Sequence, residues 1–354
     1  MKTQLLFEEA KAPQLKASSS RTAGKLWSPV CILLVVLLLS SFFSLIVGPV
    51  KIPFVDLIST IRDKLTGHTS AESLYSSVLF SIRLPRIAAA ILAGWALALA
   101  GLCYQSLLKN PLASEYTLGI ASGAAIGAVV AALLQLHFSL STPLFAFLGS
   151  TATMLIVFSV ARSKFLTDTY SLVLTGIILT SFGNAVLSLI LSIISPNQLH
   201  AFFFWFMGSF AMAQWQTLLT VAPFVIVISL VILFYSWEMN AISLNEEMAE
   251  QVGIHVVRTK LILYICAGLL TALIVSLAGT IGFIGLVVPH LARLLIGADN
   301  RSLVMLTPLL GATFCILSDL AARSILAPAE LPVGVVTAFI GVPVFIYFMA
   351  RRNA

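Results

Sequence analysis

The chain has 354 residues, of which 59% are hydrophobic and 10% charged, and its formal net charge is +6. A soluble globular domain carries about a quarter charged residues, so an ordinary soluble protein is excluded. The positive charge does not point to nucleic acid either, because no basic run with interleaved aromatic residues occurs.

Residues 1–26 are polar and rich in Ser and Lys, and are expected to form a disordered cytoplasmic tail ahead of a membrane domain over 27–354. The first apolar run, 27–49, is long enough to cross a hydrocarbon core of about 30 Å as a helix. A long mixed segment precedes it and no small-x-small site follows Gly48, so it reads as an uncleaved span rather than a signal peptide. Next, 52–65 places Phe54, Leu57, Ile58, Ile61 and Leu65 at helical spacing, which predicts a short amphipathic helix lying on the outer surface. Further spans are predicted over 87–108, 117–136, 143–161 and 171–195. The stretch 202–212 (FFFWFMGSFAM) is too short to cross, and its aromatic density predicts an interfacial or re-entrant helix. Spans over 218–235, 261–277, 283–297, 303–321 and 332–350 bring the total to about ten. The expected fold class is therefore an all-α integral membrane protein. The eighth span is short and holds Pro289, His290 and Arg293, so it is expected to begin within the Gly279, Gly282, Gly285 stretch or to tilt.

Lys and Arg beside spans are retained on the cytoplasmic side. With the N-terminus inside, fourteen of the twenty basic residues fall in cytoplasmic segments, and the six outside are Lys51, Arg62, Lys64, Arg83, Arg86 and Arg323. An even number of spans returns the C-terminus inside, beside Arg351 and Arg352. The two halves also show a loose likeness: Ala100, Gly101 and the NPLA of 110–113 against Ala278, Gly279 and the PHLA of 289–292. Spans offset by five face opposite ways, so a genuine match would be an inverted repeat.

The longest polar segment between spans is 238–260 (EMNAISLNEEMAEQVGIHVVRTK). Leu244, Met248 and Val252 recur at i, i+4 and i+8, Asn245, Glu246, Glu247 and Glu250 lie on other faces, and Gly253 can end the helix. One or two short helices standing out from the membrane are predicted. A solvated connector would need neither the length nor the apolar stripe, which favours a docking platform for a soluble partner.

Transport needs an energy source, and no G-x-x-x-x-G-K-[ST] phosphate loop occurs. Deep ionisable residues, which a gradient-driven carrier would use, are few. Asp168 sits at an inner mouth, Glu330 lies beyond the end of a span, and Asp319 stands four residues before Arg323, where the two can neutralise each other. A separate ATPase docking on the inner loop fits better than an ion gradient, and a gradient-driven secondary transporter is the alternative. Cys31, Cys103, Cys266 and Cys315 fall within predicted spans without ligand spacing, and His290 has no partner at ligand spacing, so packing roles and no metal site are expected. An intramembrane enzyme is disfavoured because there is no HExxH and no close carboxylate pair within a span.

Several long stretches carry a family resemblance. Arg83-Leu84-Pro85-Arg86, the stretch 94–124 (GWALALAGLCYQSLLKNPLASEYTLGIASGA), the stretch 279–293 (GTIGFIGLVVPHLAR), the SDLAAR of 318–323 and the ELPVG of 330–334 resemble the FecCD-type permeases of type II ABC importers. The resemblance implies a homodimer of ten-helix subunits in a bacterial inner membrane and a cytoplasmic ATPase dimer holding ATP and Mg, with no cofactor on this chain. It also implies a periplasmic or lipid-anchored binding protein that delivers a metal chelate. Ferric siderophore is foremost, with haem, cobalamin, molybdate and other chelates open. Arg83, Arg86 and Arg323 match the arginines that meet acidic residues of the binding protein in that family. The loop around Asn245 matches its ATPase-coupling segment, and Thr169, Tyr170 and Ser171 match the inner gate at the start of its fifth span. Asn184, further along that span, either faces the path or glues helices together. Where members of the family often carry Pro after NPLA-Ser or Ala, this chain has Glu115.

Overall fold

In lipid the backbone must satisfy its own hydrogen bonds, so apolar runs become helices and breaks survive only where protein covers them. The computed structural model describes residues 19–48, 50, 52–66, 74–134, 141–161, 169–193, 202–203 and 205–352. The helices are α1 (Ser19–Ile46), α2 (Phe54–Thr66), α3 (Leu74–Ser77), a π-helical turn (Val78–Arg83), α4 (Leu84–Leu107), α5 (Ile120–Leu133), α6 (Ser141–Ala161), α7 (Thr169–Leu191), α8 (Trp215–Phe234), α9 (Ser236–Leu244), α10 (Glu246–Gln251), α11 (Val256–Ala278), α12 (Ile284–Ile296), α13 (Asn300–Ser324) and α14 (Val333–Arg352). Among the described residues there is no strand. Among the described residues seven helical stretches are long and apolar enough to cross a membrane, and three shorter apolar helices bring the number to the ten expected.

Several boundaries differ from the sequence expectation. Residues 19–26, assigned to the tail, already belong to α1; residues 1–18 lie outside the described residues. The second span begins not at 87 but as a continuous helical stretch of 34 residues, Leu74–Leu107, so the RLPR motif sits inside a helix instead of ahead of one. Pro85 has no N–H to donate and would clash with a carbonyl one turn back, and the preceding turn is π-helical, with Leu84 N–H reaching Leu79 O. The eighth span, α12, starts at Ile284 after a non-helical stretch that includes Gly279 (φ 72°) and Phe283 (φ 66°). In the segment expected to be interfacial or re-entrant, residues 205–210 pack against the ends of α11 and α14, with Phe210 fully buried, Ser209 N–H donating to Ala278 O at 2.9 Å and Val333 N–H donating to Gly208 O at 2.9 Å, while Met212 is exposed. Of the four cysteines, Cys31 is exposed on α1 and the other three are packed as expected.

The repeat is carried by elements, not by the residues first aligned. A 24-residue α4 precedes a 14-residue α5, and a 23-residue α11 precedes a 13-residue α12; both short helices start after a left-handed residue, Gly119 and Phe283. The NPLA of 110–113 lies in a turn whereas 289–292 lies inside α12, so those stretches are not structural counterparts.

Burial separates the helices into a centre and a ring. The span containing α4 buries 78% of its most apolar window and that of α13 buries 72%, against 11% for α1 and 17% for α7. Glycines allow the central helices to meet backbone to backbone. A Cβ on Gly94 would overlap the carbonyl of Gly311 on α13, and a Cβ on Gly101 would overlap Gly285 on α12. Gly101→Val is therefore expected to destabilise the permease by about 3 kcal/mol or more, read as a fall in thermal stability and monodisperse yield. Gly282→Ala, whose added Cβ would make only ordinary contact with the Tyr116 ring, should leave both unchanged.

Candidate functional site

The two ends of α4, about 36 Å apart for its 24 residues, are each fixed by a cluster of charges. At its start, Arg86 Nε donates to Asp319 Oδ1 at 2.8 Å, and its Nη1 donates to Glu330 Oε2 at 2.9 Å. Arg323 Nε stands 3.6 Å from Asp319 Oδ2, and its Nη2 donates to the carbonyl and hydroxyl of Ser44 on α1. Arg83 donates to the carbonyls of Leu45, Ile46 and Val50. The structure thus brings together the three arginines expected to dock a binding protein, and it buries their side chains within this chain. Each is no more than 4% exposed, and donors of each meet carboxylates, carbonyls or a hydroxyl of its own chain, while Arg86 Nη2 and Arg323 Nε are buried without a hydrogen-bond partner among the described residues. The i,i+4 pairing of Asp319 with Arg323 is present, but Asp319 pairs more closely with Arg86, 233 residues away. Glu330, read only as lying beyond a span, is the third partner. Nothing local in the sequence announces that contact.

At the other end of α4, the segment 238–260 forms two short helices. Asn245 caps α10 by accepting from Met248 N–H at 3.0 Å, and Gly253 (φ 88°) follows its end, as its sequence position suggested. Ile242, Ala249, Ile254 and Val256 form a small core beneath the platform. Leu244, Met248 and Val252 project from it at 80%, 66% and 65% exposure, with Glu247 and Glu250 exposed beside them. Glu246 instead turns inward and joins Lys260 of α11 to Lys109, the latter at 3.1 Å. Partial burial alone would raise the Glu246 carboxyl, but hydrogen bonds and charge from Lys260 and Lys109 outweigh it and hold the group below the usual carboxylate range. Both lysines counted in the sequence only as topology signals; their role as anchors depends on folding. Asn300 strengthens the same end, with Ser106 of α4 donating to its Oδ1 at 3.0 Å and its Nδ2 donating to Ser243 Oγ at 3.2 Å.

Between these ends the helices break. The backbones of 205–209, 278–281 and 332–334 meet, with Gly334 N–H donating to Met207 O at 3.2 Å and the Thr280 hydroxyl donating to Phe206 O. Irregular backbone inside a membrane protein is tolerated where it is buried in protein or lines a cavity. Here a cavity of about 810 Å³ opens beside it, walled by Tyr116, Phe206, Phe283 and Phe339 with Ser114 and Thr280 as its small polar groups. Asn184 is not among the described residues that line it, and the side chains of Thr169, Tyr170 and Ser171 lie outside the described part of the structure. The first three belong to the start of α7, while Asn184 is exposed on that helix and its carbonyl accepts from Ser188. Asp168 lies outside the described residues. His290 is packed between the rings of Phe345 and Phe348, and among the described residues no group of three His, Cys, Asp or Glu could hold a metal.

The pattern of the FecCD transport family matches residues 34–351. The chain is 39% identical over 289 residues to the ABC transporter permease protein YvrB of Bacillus subtilis, covering 80% of this chain and 82% of that one. It is 36% identical over 293 residues to the hemin transport system permease protein HmuU of Yersinia pestis, covering 81% and 87%. A solved structure described as an inward-facing conformation of a metal-chelate type ABC transporter superposes with a TM-score of 0.78 at 31% identity, covering 92% of this chain and 99% of that one.

Removing one partner from a buried ion cluster leaves an uncompensated charge, at a cost of about 3–5 kcal/mol. Arg86→Ala should therefore lower thermal stability strongly, while Arg62→Ala, on a side chain that is 72% exposed, should change little; equal effects would refute the structural role of Arg86. Glu246→Gln should speed hydrogen exchange across α10. The wild type should show the same loosening in acid: a carboxyl held low keeps its stabilisation above the ordinary value near 4 and loses it as pH falls further.

Proposed function

The chain belongs to the FecCD transport family, and from that premise we propose that it is the membrane-spanning permease subunit of an ATP-binding cassette importer for a metal chelate, with ferric siderophore foremost. The relative named for hemin transport and the metal-chelate type structural neighbour support that cargo class. The observation that carries the energy source is the α9–α10 platform. Three apolar side chains project from a polar loop that is ion-paired to the end of α4 through Glu246 and Lys109. An exposed apolar patch with a polar rim is the form of a protein docking surface, and here its movement would be passed directly to the central helix. A cytoplasmic ATPase dimer binding ATP and Mg is the partner for this surface, so the chain itself is non-catalytic and carries no cofactor.

Delivery of the chelate by a periplasmic or lipid-anchored binding protein belongs at the opposite, arginine-bearing end. Because Arg83, Arg86 and Arg323 are engaged internally, docking through them is a competition. Carboxylates of the binding protein exchange with Asp319, Glu330 and the α1 carbonyls, using the planar bidentate geometry that Arg offers and Lys does not. The exposed apolar faces of α7 (Ile178, Phe182) and α14 (Phe339, Ile346) suit a second copy of the chain, with the pathway between the two. In that arrangement Asn184 faces the path, and Thr169, Tyr170 and Ser171 stand at its inner gate. The chain then sits in a bacterial inner membrane with both termini in the cytoplasm, a reading supported by the fourteen of twenty basic residues that this orientation puts on the inner side.

The deciding experiment reconstitutes the permease with its ATPase and binding protein in vesicles. ATP-dependent uptake of a ferric siderophore is expected, with ATP hydrolysis stimulated by the loaded binding protein. In Leu244→Ala/Met248→Ala, hydrolysis should persist while uptake falls at least about tenfold, the effect of losing roughly 1.4 kcal/mol of coupling. Uptake by the permease alone on a proton or sodium gradient would overturn the proposal.

A further inference from the structure

Neither ion cluster absorbs Glu115. It lies in the turn between α4 and α5, which is fixed by its own hydrogen bonds. Ser114 N–H donates to Thr117 Oγ1 at 3.1 Å, Thr117 Oγ1 donates back to Ser114 O at 2.8 Å, and Gly119 N–H donates to Tyr116 O at 3.2 Å. From α7, the Thr180 hydroxyl also donates to Tyr116 O at 3.2 Å. The result places Ser114 and Tyr116 in the cavity wall, while Glu115 between them does not line it. Its carboxyl occupies a notch at the first turn of α12, where a Cβ on Gly285 would overlap Oε2. Glu115 is 1% exposed, and neither carboxylate oxygen meets a hydrogen-bond partner among the described residues.

The titratable groups around it supply no counter-charge. Tyr104 of α4 faces it and packs edge-on against Tyr264 of α11, Cys103 lies beside Tyr104, and Tyr116 follows on the same turn. Arg293 of α12 donates to Gln105 Oε1, and Gln105 in turn donates to the carbonyls of Gly285 and Leu286 at 3.2 and 3.1 Å, so that cation is directed elsewhere. An ionised carboxylate buried without a protein partner costs several kcal/mol, and such a group takes up a proton instead.

We propose that Glu115 is a proton-binding site set behind the cavity wall, neutral in this conformation and ionised when the 109–119 turn moves to open it to the cavity. On opening, the carboxyl O–H bond breaks, its electron pair stays on the carboxylate and the proton passes to water. Because the two arrangements bind the proton unequally, rising pH shifts the permease toward the opened one. The site stands independently of which chelate is carried and of how the ATPase docks.

Infrared spectroscopy of the purified permease tests it without any cargo. At about pH 6, where exposed carboxyls with ordinary values near 4 are ionised, the wild type should show a protonated-carboxyl C=O band that is lost in E115Q. As pH rises from about 5 to about 8, the wild type should also lose thermal stability relative to E115Q, because its fold retains a proton that the unfolded chain has already released. E115P, carrying the residue common at this position in the family, replaces E115Q if the amide does not fold. Absence of the band from the wild type, its survival in the variant, or equal pH slopes for the two proteins would each overturn the proposal.

Discussion

Glycine against glycine is the contact on which this bundle depends. Lipid tails are as apolar as leucine, so burying apolar side chains gives little drive for helices to associate within a membrane, and close packing must supply it. At Gly94 against Gly311 and Gly101 against Gly285 the backbones approach until no Cβ fits. Those two crossings hold α4 against α13 and α12, and the position of everything functional is set from α4. Its burial among neighbours, rather than its hydropathy, distinguishes it from α1, whose mean hydropathy is higher yet whose side chains face outward.

Charge then fixes the ends of that helix, by different means. At the arginine end three guanidinium groups and two carboxylates are drawn together with α1 carbonyls, nearly without solvent for Arg86, Asp319 and Arg323. Buried ions of this kind add little net stability over apolar packing but are strongly unfavourable when one partner is missing. They therefore act as a specificity device for the α1, α4 and α13 junction. At the loop end Glu246 bridges a buried Lys260 to a partly exposed Lys109, and the Lys109 pair is of the kind that is weak individually and exchanges readily. A rigid junction at one end and a yielding one at the other suit a helix that must transmit movement without coming apart.

The broken backbone between the ends gives the cavity its character. Where 205–209, 278–281 and 332–334 meet, the freed polar groups bond to one another and the cavity beside them is walled by aromatic and aliphatic side chains. No described charge lines that wall. Glu115 stands just behind it, housed by the missing side chain at Gly285, whose backbone is also the surface that Gly101 of α4 meets, so close packing and the carboxyl's notch adjoin at one glycine.

The number of spans, the protruding platform and the terminating role of Gly253 were legible from the sequence, because each depends on periodicity or on local backbone preference over a few residues. The family was legible as well, through motifs in a fixed order. Other features required the fold. That Arg83, Arg86 and Arg323 are buried rather than presented follows from Asp319, Glu330 and the end of α1 converging on them across more than two hundred residues in two of the three cases. That Glu246 faces inward while Glu247 and Glu250 face outward is decided by where Lys109 and Lys260 arrive. The sequence by itself determined a membrane-crossing α-helical chain, since hydropathy and length are properties of a segment alone. Only the tertiary structure decided which charges are shared and that both oxygens of Glu115 are buried without a partner among the described residues, since pairing depends on distances that chain order does not encode.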